Sequence, residues 1–214
     1  MGLARWSLLT MLVFEAAAQE SAPPYKFSTT VTGEPLYTFG TSVVANSGFK
    51  GDIYLLKPET SKLPNFSRLK PVGSIYTTYL CVPRRSFDEG FPGITDRFEW
   101  FAIDYNGRFW VSREGRYEFA LVSDDGSKLY IDGKKAIDND GIHPELKAFG
   151  RVVLSAGVHS IRVSYFQGPR YHLSLVLAVR GPDDPEFRVF HMDDFKPPPD
   201  VAERELAEKP ARKK

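Results

Sequence analysis

Two adjacent carboxylates, Asp124 and Asp125, precede Gly126 at the end of an alternating apolar and polar segment. Carboxylate oxygens bind cations and accept hydrogen bonds. Neighbouring side chains of a strand point to opposite faces, so both carboxylates reach one ion only through a tight turn or an unusual peptide bond. Gly126 supplies backbone freedom there. A structural alternative stays open, because aspartates in turns also accept hydrogen bonds from backbone N–H groups.

Catalytic motifs are absent from the sequence: it contains no nucleophile elbow, zinc-protease helix, Walker loop or dinucleotide-binding glycine pattern. A glycosidase needs two carboxylates roughly 5–9.5 Å apart across the scissile bond. Adjacent aspartates do not produce that arrangement without a cleft. Other acids leave a concealed active site open, although no motif marks one: Asp88, Glu89, Asp96, Glu99 and Asp104. The sequence therefore favours binding over catalysis.

Short segments with period-two alternation dominate the chain from residue 25 to 181 and are typical of strands with one buried face. Turn-forming pairs such as Asn106-Gly107 and Asp132-Gly133 separate them. The positions predicted to face the interior are apolar or aromatic: Tyr117, Phe119, Leu121, Leu129, Ile131, Ile161, Val163, Tyr165, Leu173, Leu175, Leu177 and Val179. The pattern predicts an all-β fold, an antiparallel sandwich or barrel.

Three ordered blocks of sequence resemble the PA14 domain family. Residues 115–133 resemble its central hairpin, with G-x-Y-x-F, then S-D-D-G-S, then an apolar strand ending in D-G. Residues 154–166 match its L-x-A-G-x-H-x-I-x-V-x-Y-F signature, and residues 137–143 resemble the loop between these blocks. The resemblance covers about residues 97–179 and implies a β-sandwich module of the kind found in adhesins, glycosidases, toxins and secreted bacterial proteins.

The resemblance also implies a ligand, often a carbohydrate, which some members hold through calcium bound by the two adjacent aspartates. Adhesins with this site add an asparagine from a later loop. Gln167 stands in the corresponding loop of this chain, one methylene longer than asparagine, and Arg170 adds a positive charge nearby. The expected metal ligands are Asp124, Asp125, Asn139 and Gln167.

The aromatic residues around that later loop are predicted to offer flat apolar faces to a sugar. Together with the aspartates they form the expected ligand-binding set: Asp124, Asp125, Gln167, Tyr165, Phe166, Arg170 and Tyr171. His143 and His159 are interpreted as scaffold residues, with His159 expected to tie a loop.

Charge and termini set the remaining expectations. The chain has 28 Lys plus Arg against 27 Asp plus Glu, a net charge of +1, which does not favour nucleic acid. Arg5, an apolar run and Ala16–Ala18 predict a signal peptide over residues 1–18, with a mis-assigned start as the alternative. A linker is predicted at 19–24, the sandwich at 25–181 and a Pro-rich, charged, disordered tail at 182–214. No apolar run approaches the ~18 residues of a membrane span.

These features predict a secreted, periplasmic or cell-surface binding module without catalytic activity. Its expected partners are glycans or a cell-surface or exported partner protein, with calcium as a candidate cofactor. The alternative is a protein-interaction or scaffold domain of an exported assembly, because one fold serves many functions.

Overall fold

A computed structural model of the protein describes residues 48–94 and 97–199. Eleven strands form in these ranges: β1 (Phe49–Leu55), β2 (Gly73–Thr77), β3 (Cys81–Ser86), β4 (Phe101–Val111), β5 (Gly115–Asp124), β6 (Ser127–Ile131), β7 (Lys134–Asn139), β8 (Leu146–Leu154), β9 (Gly157–Gln167), β10 (His172–Arg180) and β11 (Arg188–Val189). Three short 3-10 helices lie at Phe66–Arg68, Phe87–Glu89 and Met192–Phe195. No helix in these ranges is long and apolar enough to cross a membrane.

The strands form two antiparallel sheets. The six-stranded sheet has the order β2-β1-β4-β9-β6-β7, and the five-stranded sheet has the order β11-β10-β5-β8, with β3 also pairing with β10. The β4–β9 pair runs without interruption from Phe101↔Gln167 to Val111↔Gly157. The predicted all-β antiparallel sandwich is therefore confirmed.

The core lies between the sheets, and the alternation of the strands explains its composition. The positions predicted to face inward on β5, β6, β9 and β10 are all buried, with exposures from 0% to 6%. Side chains of the two inner faces form one continuous apolar cluster. A second, smaller cluster lies on the outer face of the six-stranded sheet, where residues 56–66 cover Ala102 and Phe166.

The C-terminal boundary differs from the sequence expectation. Residues 182–199 were expected to be disordered, but β11 pairs with β10, and Phe190 is fully buried. The Phe190 ring stacks on Phe195 with centroids 4.8 Å apart and meets Phe109 edge-on at 5.5 Å. The expectation was wrong because a few well-spaced apolar residues outweigh the charges and prolines around them. The predicted signal peptide, the linker, residues 25–47 and residues 200–214 lie outside the described residues.

A buried histidine links the turn between β6 and β7 to the turn between β8 and β9. His159 Nδ1 lies 2.6 Å from Asp132 Oδ2, and His159 Nε2 lies 3.0 Å from the Ser155 carbonyl oxygen. Both partners only accept hydrogen bonds, so the ring satisfies both contacts when both of its nitrogens are protonated. Burial acts to lower the pKa of His159, but the hydrogen bonds to Asp132 and Ser155 outweigh burial and raise it. The expectation that His159 ties a loop is confirmed.

Phe190→Ala tests whether the C-terminal segment is part of the core. We expect the free energy of unfolding to fall by about 3–5 kcal/mol, the usual cost of emptying a buried phenylalanine site. Phe149→Ala is the matched control, because that ring is 55% exposed, and it should cost less than about 1 kcal/mol. Urea denaturation measures both, and equal losses would contradict the assignment.

The pair of His159 and Asp132 predicts a pH dependence of stability. A raised pKa for His159 contributes stability that is complete below its unfolded value of about 6.5 and is lost as pH rises through the folded pKa. The lowered pKa of Asp132 contributes stability that is lost as pH falls below about 4. The stability difference between wild type and His159→Gln should therefore peak between about pH 4 and 6.5 in thermal melts. Asp132→Asn should show the same profile, and a pH-independent difference would refute the ion pair.

Candidate functional site

The two aspartates lie at the turn between β5 and β6, at one end of the sandwich. The peptide bond between Asp124 and Asp125 is cis, as the need for an unusual peptide bond anticipated. Gly126 packs so closely that a Cβ there would lie 2.3 Å from Phe166 Cε1 and 2.8 Å from the Gly141 nitrogen. Only glycine fits this position, so close packing holds the turn in place.

The carboxylate of Asp125 joins the turn to two other loops. Its Oδ2 accepts from the backbone N–H of Gly168 at 2.8 Å, and its Oδ1 accepts from that of His143 at 3.2 Å. Asp125 is only 3% exposed, and burial raises its pKa although both N–H donors act in the opposite direction. The carboxylate is therefore a buried acceptor that orders the loops around it.

Asp124 has a different environment. Burial and then the charge of Asp125 raise the pKa of Asp124 to about 6, against the opposing effect of Arg84. Its cross-strand neighbour on β10 is Ser174, whose hydroxyl is buried and has no hydrogen-bond partner in the described part of the chain. Ser174 and Arg84 were not among the site residues predicted from the sequence. Ser174 carried a signal, because it is the one hydroxyl residue within the apolar run of β10.

Gln167 does not present an oxygen to the aspartates. Its Oε1 lies 2.6 Å from the hydroxyl oxygen of Tyr165, which donates to it. Its Nε2 donates towards three acceptors: Asp125 Oδ2 at 3.4 Å, the Pro169 carbonyl at 3.3 Å and the His172 carbonyl at 3.1 Å. A flipped amide would place its oxygen against all three acceptors, so the contacts determine the orientation. In this arrangement the amide oxygen of Gln167 faces Tyr165 and not the aspartates, and the expectation that Gln167 is a metal ligand stays a prediction.

Asn139 also serves the scaffold. Its Nδ2 donates to Ser123 Oγ at 3.0 Å and to the Leu146 carbonyl at 3.1 Å, and its own carbonyl lies 2.9 Å from His143 Nε2. These contacts tie β7 to β5, to the loop that follows β7 and to the start of β8. They give no support to the expectation that Asn139 is a metal ligand.

The fit of calcium can be judged from these donors. Among residues 48–94 and 97–199, no group of three or more His, Cys, Asp or Glu side chains could hold a metal ion. Asp125 already accepts hydrogen bonds at both carboxylate oxygens, and Gln167 turns its nitrogen towards the pair. Calcium needs about six to eight oxygen ligands. As they are arranged here, these residues do not fit it.

The aromatic residues of the expected site separate into buried and exposed ones. Tyr165 and Phe166 are both 0% exposed, so the expectation that they contact a ligand was wrong. Their strand, β9, lies between β4 and β6, with the core on one face and residues 56–66 over the other. Tyr171 is 79% exposed, on the loop that Asp125 holds through Gly168.

The surface around the aspartate turn, called the rim below, consists of Phe98, Ile142, Arg170 and Tyr171. Phe98 is 45% exposed and Ile142 is 47% exposed. Arg170 lies over the Phe87 ring and pairs with Glu99, whose Oε2 is 3.5 Å from Arg170 Nε. Apolar faces therefore stand beside charged groups on this surface. Asp124 and Asp125 lie beneath it and are buried, with 7% and 3% exposed, respectively.

Comparisons with known proteins identify the fold. Three solved structures match with probability 1.00: an anti-sigma factor domain-containing protein (20% identity, TM-score 0.56), the PA14 domain of the MpAFP antifreeze protein (17%, 0.58) and the PA14 sugar-binding domain of an RTX adhesin (15%, 0.56). The alignments cover 78%, 68% and 70% of this chain and 51%, 88% and 97% of those chains, respectively.

The chain thus spans about half the length of the anti-sigma factor domain-containing protein and nearly all of the adhesin domain. No curated protein sequence matches it significantly. The family model of the PA14 domain matches residues 82–189, about half of the chain. This match agrees with the two-sheet architecture and with the blocks of sequence around the aspartate turn, and the chain belongs to the PA14 domain family.

Proposed function

We propose that this chain is an exported, non-catalytic carbohydrate-binding module whose glycan ligand lies on the rim. The observation that carries the proposal is Tyr171, which is 79% exposed although its loop is held in place. The Tyr171 carbonyl accepts from the Phe87 N–H at 3.2 Å, and the Gly168 N–H of the same loop donates to Asp125. An aromatic ring presented by a fixed loop loses little entropy when a ligand packs on it.

The chemistry of the rim suits a sugar. Aromatic rings pack against the apolar C–H faces of pyranoses, and Tyr171 and Phe98 both expose such faces. Arg170 and Glu99 supply donors and acceptors for ring hydroxyls beside them. The similar fold of the adhesin's sugar-binding domain supports this class of ligand without identifying it. Export rests on the leader pattern and implies a mature chain that begins near Gln19.

A glycan array tests the binding proposal. Wild-type protein should bind a subset of neutral glycans and release no product from them, and Tyr171→Ala should weaken binding by at least about tenfold, as expected for an aromatic anchor worth about 2 kcal/mol. Tyr76→Ala is the matched control, because Tyr76 is 54% exposed on β2, away from the rim. Hydrolysis of a bound glycan would contradict the absence of catalysis, and equal binding by both variants would exclude the rim.

We further propose that binding needs no calcium, because Gln167 directs its amide nitrogen at Asp125. Millimolar calcium should leave the melting temperature of wild-type protein unchanged. A bound ion would stabilise it by about 2.7 kcal/mol at a hundred times its Kd. A calcium-dependent rise that disappears in the Asp124→Asn/Asp125→Asn variant would overturn this proposal.

The single variants separate the two aspartates in the same melts. Asp125→Asn should cost about 1.5–3 kcal/mol, because an amide nitrogen would then face a backbone N–H donor at Gly168 or His143. Asp124→Asn should cost less, since it relieves repulsion between neighbouring carboxylates. The reverse order would contradict the structural role of Asp125.

A second candidate function is a protein-interaction domain. The observation in its favour is the edge strand β2, which is paired on one side by β1 and displays Tyr76. Val72, just before the strand, is 61% exposed. Exposed edge strands are templates for pairing with another chain. Absence of any glycan binding on the array would favour this candidate over the first.

A further inference from the structure

A row of charged residues crosses the outer face of the five-stranded sheet, at the opposite end of β5 from Asp124. Glu118 of β5 lies opposite Arg180 of β10 and Arg151 of β8. Arg180 Nη2 donates to Glu118 Oε2 at 2.6 Å, and Arg151 Nε donates to Oε1 at 3.2 Å. The hydrogen bond from Arg180 contributes most to lowering the pKa of Glu118. The charge of this carboxylate is therefore shared between two guanidinium groups.

Arg116 adds a third guanidinium two residues earlier on β5, opposite Val153. Its side chain is exposed, and no carboxylate within the described ranges forms an ion pair with it. Glu118, the nearest acid on its strand, is already engaged by Arg151 and Arg180. Arg116 thus forms no ion pair within the described ranges, although its charge helps to lower the pKa of Glu118 after the larger effects of Arg180 and Arg151.

A cavity of about 490 Å³ opens beside these groups, lined by Arg116, Glu118, Arg180, Gly181, Pro182 and Asp184. It is an open depression with a mostly polar lining. Asp184 Oδ2 accepts from the Gly181 N–H at 2.8 Å and closes the turn after β10. A Cβ on Gly115 would lie 2.5 Å from Pro182 Cγ, so this turn packs tightly on the start of β5.

Apolar side chains flank the cavity. Val153 is 80% exposed, and Phe149, two rows away on the same face of β8 with Arg151 between them, is 55% exposed. The Phe149 ring contacts Phe187 with centroids 5.7 Å apart, and the Arg180 guanidinium lies 4.9 Å from the centre of the Phe187 ring. The cavity therefore combines a cation without an ion pair in the described ranges and two carboxylates, and Phe187 and Phe149 lie beyond Arg180.

We propose that this cavity binds an acidic sugar residue, a pyranose ring that carries a carboxylate. Arg116 would take the carboxylate in a charge-assisted, bidentate pair. Glu118 and Asp184 would accept from ring hydroxyls, and Phe149 would pack on the C–H face of the ring. An acidic peptide also satisfies Arg116, but it offers few hydroxyl donors and brings further negative charge towards Glu118 and Asp184. The mixed charge of the lining favours the sugar.

This site is independent of the rim and does not rest on the proposed function. Residues near the start of β5 line the cavity, whereas the aspartate turn lies at the other end of that strand. Seven strand steps of about 3.4 Å separate Arg116 from Ser123, close to 24 Å. A variant that disables one site should leave the other intact.

Isothermal titration calorimetry of the full chain with trigalacturonate, and with galactotriose as its neutral counterpart, tests the proposal. Trigalacturonate should bind at least about tenfold more tightly than galactotriose, because only it supplies the charged partner for Arg116. Its affinity should fall as salt rises. Arg116→Gln should weaken trigalacturonate about tenfold or more, whereas Arg108→Gln, which removes an exposed arginine from the other sheet, should have no effect.

Four outcomes would overturn the assignment. Equal affinity for the neutral trimer would show that the charge is not recognised. If Arg116→Gln binds trigalacturonate as tightly as wild type, the acidic ligand binds elsewhere. If Asp125→Asn loses affinity for trigalacturonate, the ligand binds at the rim. If triglutamate competes for the site as well as trigalacturonate does, the site recognises an anion and not a sugar. Phe149→Ala, which alters an exposed ring and not the fold, should reproduce the weakening.

Discussion

The arrangement of the loops at one end of the sandwich depends on a buried carboxylate that accepts backbone N–H groups from both sides. The two carboxylate oxygens of Asp125 accept hydrogen bonds from the backbone N–H groups of Gly168 and His143. A buried ionised group is costly unless it is paired or hydrogen-bonded, so both loops are held at the distance their N–H groups require. Tyr171 is held in place as well, because it lies on the Gly168 loop. Its carbonyl oxygen accepts a hydrogen bond from the N–H of Phe87, in the 3-10 helix after β3.

The same carboxylate explains why Gln167 is oriented as it is. Tyr165 donates its hydroxyl proton towards Oε1, which leaves the amide nitrogen for Asp125 and two carbonyls. Hydrogen bonds to a charged acceptor are stronger than neutral ones, and several of them distribute one negative charge over several donors. Protein N–H groups thus satisfy both oxygens of the Asp125 carboxylate.

The strands and the aspartate turn could be predicted from the sequence, but the burial and the hydrogen-bond partners of individual side chains could not. Period-two alternation placed Phe119, Leu121 and Leu177 correctly, because an inward face is a local property of a strand. The burial of Phe166 depends on residues 56–66, which are far away in sequence and carry no pattern that pairs them with β9. The same limit applied to the amide of Gln167 and to Phe190, whose partners lie on other elements.

The position of Phe190, Met192 and Phe195 bears on how this domain can be moved between proteins. The family pattern ends at residue 189, yet these three residues belong to the central cluster of the sandwich. A genetic fusion that joins a new partner at residue 189 would remove them from the unit it means to transplant. The smallest portable form of this module therefore extends past the family pattern, and its C-terminal junction belongs after residue 195.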